Sequence, residues 1–130
     1  KSKNRHKYLL QYHIIFVCKY RKKLLMSKQI SDDIKQFSYE ICQKHKVIIR
    51  YIETDKDHIH YMIETEPTMS ISKIVNLMKS YTTYHIWKRY PDYLRKHFLK
   101  EHTFWTDGYF VCSVGNVSEE MLRKYIENQG

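Results

Sequence analysis

At 130 residues the chain has the size of one domain, enough for a real hydrophobic core and too little for two. Hydrophobic residues make up 42%, which excludes a disordered polymer, and 23 Lys plus Arg against 14 Asp plus Glu leave a formal charge of +9. That excess points to a polyanionic partner, nucleic acid or an anionic membrane surface, and twelve tyrosines tilt the choice toward nucleic acid, whose unpaired bases stack on aromatic faces.

Cys18, Cys42 and Cys112 are odd in number, far apart, and form no C-x-x-C pair, so no disulfide framework is expected and a reducing cytoplasm is the natural compartment. Cys18 and Cys112 sit in apolar runs and read as small buried residues. No stretch has the length of a membrane span or the pattern of a signal peptide. With only 3 Gly and 2 Pro and no linker-like segment, residues 1–130 read as a single domain.

In chain order, residues 1–7 form a basic arm. Tyr8 to Tyr20, rich in β-branched and aromatic residues, predicts a long strand. Ser27 to Lys44 carries a helical stripe of Ile30, Ile34, Phe37, Ile41 and Cys42, with Ser31, Asp32 and Asp33 supplying acidic character to its first turn. Val47 to Glu53 predicts a second strand, Thr54 to Asp57 a hairpin turn, and His58 to Glu64 a third strand. Pro67, Thr68 and Ser70 mark a break before a helix with Ile71, Ile74, Val75, Met78 and Tyr81 on one stripe, ending before Pro91. Tyr93 to His102 is basic and compatible with a helix. Thr106 to Gly108 predicts a turn, Tyr109 to Val114 a fourth strand closed by Gly115, and Ser118 caps a final helix within residues 116–130. The order β-α-β-β-α-β-α is an α+β, ferredoxin-like (RRM-like) antiparallel sheet with an added C-terminal helix. Many functions share that fold, so function must come from the site.

His58-Ile59-His60 is the sharpest chemical feature. On a strand, residues i and i+2 project from one face, so two imidazoles stand side by side, half of a transition-metal site. Glu64 shares that parity and Asp57 points the other way. Alone, such a pair is weak, since eight histidines in 130 residues produce it by chance. The final helix holds a second feature: Tyr125 and Gln129, four residues apart, share one helical face, with Met121 a turn earlier and Leu122 and Ile126 beside them. The plain alternative is a core tyrosine on an amphipathic stripe, although a glutamine on that stripe requires a polar partner.

Together the two features are far more specific. The ordered pair His58-Ile59-His60 and Tyr125-Ile126-Glu127-Asn128-Gln129 resembles the single-tyrosine HUH transposases (TnpA type) of minimal bacterial insertion sequences. Tyr12-His13-Ile14-Ile15-Phe16, Asp57 before the histidine pair, and Trp105 through Tyr109 and Phe110 to Gly115 are similar to that family as well, so the resemblance spans nearly the whole chain.

The resemblance implies Tyr125 as nucleophile and His58, His60 and Gln129 as ligands of a divalent metal, Mg²⁺ or Mn²⁺. It implies an enzyme of a bacterial or archaeal cell that cleaves and rejoins single-stranded DNA at insertion-sequence ends through a 5′-phosphotyrosine. It also implies a substrate with subterminal hairpins and a homodimer whose active sites can be shared between chains. Tyr125 acting within its own chain or on its partner's site both remain open. The basic residues Arg21, Lys22 and Lys23 after the first strand, and Lys88, Arg89, Arg95 and Lys96 after the second helix, are candidates for DNA contact or a solvated face. Two rivals stand beside this reading. One is a replication-initiator or relaxase-type nickase of the same chemistry. The other is a non-catalytic RRM-like binding module, for which Tyr51 and Tyr61 would supply aromatic base platforms.

Overall fold

The computed structural model describes residues 9–113 and 119–129, in the second segment with side chains from residue 123 onward. The basic arm 1–7, the Gly115 stop and the Ser118 cap lie outside the described residues. Eight elements follow the predicted order with one helix inserted: β1 (Leu10–Val17), α1 (Lys28–Lys44), β2 (Ile48–Thr54), β3 (His58–Thr65), α2 (Ile71–Arg89), α3 (Pro91–Phe98), β4 (Phe110–Ser113) and α4 (Glu119–Glu127).

The four strands form one antiparallel sheet in the order β2-β3-β1-β4. Strand alternation then sorts the side chains of β1 and β3. Ile14, Phe16, Ile59, Tyr61 and Ile63 project to the face covered by α1 and α2 and form the main core with Ile30, Ile34, Phe37, Ile74 and Met78. Their register neighbours one residue away, His13, Ile15, Val17, His58, His60 and Met62, stand on the opposite face together with Phe110 and Cys112 of β4. One sheet thus keeps its packing side and its chemical side apart.

Several boundaries differ from the sequence reading, each for a tertiary reason. β1 ends at Val17 rather than Tyr20 because Cys18 pairs with Trp105, its N–H donates to the Asp57 carbonyl at 2.8 Å, and Tyr20 and Arg21 adopt left-handed φ of 60° and 52°. The cap of α1 is Ser27, whose hydroxyl accepts from the Ile30 N–H at 3.2 Å, so Ser31, Asp32 and Asp33 fall in the second turn and not the first. Ser31 instead shares a hydrogen bond with Thr54 of β2 at 2.8 Å, and Asp33 accepts from Arg89 at 3.0 Å and from the Tyr90 hydroxyl at 2.5 Å. These polar groups tie α1 to the sheet and to the end of α2.

Pro91 at the first position starts α3 two residues earlier than expected, and Leu99, at φ 54°, ends it at Phe98. Cys112 is half-buried rather than buried, on the short edge strand β4. Among the described residues no helix is long and apolar enough to cross a membrane.

Candidate active site

His58 and His60 open β3, and their parity sends both rings to the face away from α1 and α2. Each ring already has a partner. His58 Nδ1 lies 3.0 Å from Asp57 Oδ1, and the other oxygen of that carboxylate accepts from Arg21 Nε at 3.0 Å. The left-handed turn after β1 is what brings Arg21 there. The hydrogen bonds from His58 and Arg21 and the Arg21 charge outweigh burial and hold the Asp57 carboxyl below its ordinary range, so it stays an anion. Asp57 was expected to point away from the histidine pair. It lies just before β3, where strand alternation does not yet govern it, and its side chain curls back to orient His58.

His60 is held from the other side. Its Nε2 lies 2.8 Å from His13 Nδ1, the two ring centroids are 4.9 Å apart, and Tyr51 of β2 meets the His60 ring edge-on. Glu53 reaches to 3.8 Å from His60 Nδ1. Burial lowers the pKa of His13 and is the largest cause of lowering at His60, which favours neutral imidazoles, the form that binds metals. Glu64, of the same parity, is committed elsewhere: its carboxylate accepts from Arg50 at 2.7 Å and from Gln11.

A cleft of about 1010 Å³ opens over this face. Its walls include His58, His60, Asp57, Arg21, Lys23 and Lys35, and α4 closes one side with Arg123, Ile126 and Glu127. Of the proposed DNA-binding residues, Arg21 and Lys23 therefore sit at the histidine pair. Lys88 and Arg89 lie at the end of α2, Lys88 over the Tyr84 ring and Arg89 paired with Asp33. Arg95 pairs with Asp92, and together with Lys96 lines a separate cleft on α3. Lys22 caps the turn after β1 through its backbone.

The residues of α4 divide between two neighbourhoods. Arg123, Ile126 and Glu127 face the histidine cleft, while Tyr125 is half-buried with its ring 5.5 Å from Phe110. Gln129 lines a second, smaller cleft with Lys19, Tyr20, Thr106 and Asp107. Neither Tyr125 nor Gln129 is among the residues lining the cleft of His58 and His60. Burial raises the Tyr125 pKa, so its phenol stays protonated near neutral pH without a nearby positive charge.

No group of three or more His, Cys, Asp or Glu able to hold a metal occurs among the described residues. Two imidazoles on one face, each fixed by a hydrogen bond through one nitrogen, nonetheless suit a divalent ion as a partial donor set, one that needs another ligand. Sequence reasoning missed His13, Lys35 and Arg123. The first had a usable signal, a histidine in the opening strand; the other two are lone cations whose place depends on helix packing.

A ferredoxin-like α+β domain with a basic, histidine-lined cleft on its open sheet face is the class that the fold and site define. The sequence matches the IS200-like transposase family over residues 6–129, and the chain belongs to that family. It is 26% identical over 122 residues to the ISDra2 transposase TnpA of Deinococcus radiodurans, covering 94% of this chain and 85% of that protein. It is 29% identical over 119 residues to the transposase for insertion sequence element IS200 of Salmonella typhimurium, covering 92% and 76%. The fold is shared with a solved structure from Deinococcus radiodurans R1, assigned there as a candidate transposase, at a TM-score of 0.87 and 24% identity over 99% of this chain and 97% of that one. A REP-associated tyrosine transposase bound to a REP hairpin has the same fold at a TM-score of 0.58 and 12% identity, covering 98% and 68%.

Proposed function

We propose that this transposase cleaves and rejoins single-stranded DNA with Tyr125 as nucleophile and His58 and His60 as metal ligands. The observation that carries the reading is the pair of oriented imidazoles under a cation-lined cleft that α4 borders. In the cleavage step the Tyr125 oxygen bonds to the scissile phosphorus, the bond from phosphorus to the 3′-oxygen breaks, and a free 3′-hydroxyl leaves. The 5′-phosphotyrosine keeps the bond energy, so another 3′-hydroxyl can attack it and rejoin DNA without ATP. A divalent cation, Mg²⁺ or Mn²⁺, would act as Lewis acid toward the non-bridging oxygens, with His58, His60 and Gln129 as its neutral protein ligands. A free tyrosine has a pKa near ~10 and burial raises that of Tyr125, so its deprotonation needs positive charge nearby. Arg21, Lys23, Lys35 and Arg123 supply cations around the cleft.

We infer a homodimer in which α4 of one protomer completes the site of the other, a reading supported by Tyr125 packing on Phe110 and by Gln129 lining a different cleft from that of His58 and His60. The hairpin in the REP-associated relative supports a substrate with a hairpin here too. A non-catalytic RRM-like role is disfavoured by Tyr61, which is fully buried against Ser38 and offers no face to a base.

Incubation with labelled single-stranded DNA and Mg²⁺ followed by a denaturing gel tests the proposal. A covalent adduct on the tryptic peptide that follows Lys124 is expected. An adduct on another tyrosine, or cleavage with no adduct, overturns it.

A further inference from the structure

His13 takes no part in the chemistry proposed above, yet it is 8% exposed and its Nδ1 lies within hydrogen-bond distance of His60 Nε2. It sits on β1 opposite Met62, two pairs along from the Ile15–His60 pair, so its ring reaches His60 diagonally on the same sheet face. Between two neutral imidazoles one nitrogen must donate and the other accept, so the contact at 2.8 Å couples the tautomers of the two rings: a proton on one of the facing nitrogens requires a bare nitrogen on the other. With Nε2 of His60 engaged by His13, Nδ1 is the nitrogen left toward Glu53. At His58 the pattern is reversed: Nδ1 is engaged by Asp57 and Nε2 is left. The two rings are thus fixed through opposite nitrogens by different elements.

We propose that His13 is a positioning residue that fixes the tautomer and ring orientation of His60, as Asp57 does for His58. The metal half of this inference rests on the proposed role of His60 as a ligand. A hydrogen-bond partner behind a ligating imidazole sets which nitrogen binds and how basic it is, and its loss costs about 10–100-fold in metal affinity.

The test uses the full chain with His13→Leu, which fills the site without a hydrogen bond, and His13→Gln, which can restore one. Long-range ¹H–¹⁵N spectra read the His60 tautomer without metal, and Mn²⁺ titration followed by electron paramagnetic resonance reads affinity. The expected results are a single His60 tautomer in the wild type, a mixed population in His13→Leu, and recovery in His13→Gln. Mn²⁺ affinity should fall about 10–100-fold in the Leu variant and stay within about 3-fold of wild type in the Gln variant. An unchanged His60 tautomer in His13→Leu overturns the proposal, as does a Gln variant no better than Leu. Altered tautomers with unaltered affinity overturn its metal half. If the wild type itself binds no Mn²⁺, the ligand role of His60 fails while the tautomer result still decides what His13 does. His13→Phe serves as a second apolar replacement if the Leu variant does not fold.

Discussion

The ring of Tyr125 rests against Phe110, with centroids 5.5 Å apart and planes inclined at 51°. An aromatic pair of this geometry contributes about 0.5–1.5 kcal/mol beyond its buried area, and it anchors α4 to the edge strand β4. The ring is therefore structural, and the hydroxyl is the part that chemistry can use.

Tyr125→Phe should separate those roles. Keeping the ring preserves the contact with Phe110, so stability measured by denaturant titration should change by no more than about 1 kcal/mol. Adduct formation should drop by about 10⁴-fold or more, the scale on which covalent nucleophiles act. Normal cleavage by a folded Phe variant would return Tyr125 to the status of a packing residue.

His58→Ala and His60→Ala should each lower metal-dependent cleavage by at least about 100-fold, because losing a ligand costs no less than losing the group behind it. DNA binding, measured by fluorescence anisotropy, should change little if affinity comes from cations elsewhere on the surface. Adding EDTA to the wild type should have the same effect as either substitution. Full activity of both variants in Mg²⁺ would remove the histidines from the metal site.

Affinity for single-stranded DNA should fall with salt, with a slope in log–log form of about −0.7 for each phosphate contacted. Lys23 borders the cleft, so Lys23→Ala should make the slope shallower by about 0.7. Arg89 is paired with Asp33 at the end of α2, so Arg89→Ala should leave the slope as it is. Equal effects of the two substitutions would show that DNA spreads over the helical layer as well.

Sharing of sites between protomers has its own test. Light scattering should give about twice the 16.0 kDa of one chain. Tyr125→Phe and His60→Ala proteins, each inactive, should recover about a quarter of wild-type activity when mixed and allowed to exchange subunits. Half of randomly assorted dimers then hold one intact shared site of two. No recovery in exchanged dimers would mean that Tyr125 serves the histidines of its own chain.

The residue pattern by itself determined the order of elements, because alternation in strands and the 3.6-residue stripe in helices are local properties. It also placed His58 and His60 on one face of β3, since residues two apart on a strand cannot do otherwise. Tertiary structure alone decided which face that was, sending Tyr61 to the core and the histidines to the open side. It brought His13 to His60 across 47 positions of sequence, and Arg21 to Asp57 across 36. The spacing of Tyr125 and Gln129 fixed their common helical face, but the direction of that face depends on how α4 docks. Docking is set by contacts such as Phe110 with Tyr125, made by residues far from the histidines in sequence, and no local period encodes it.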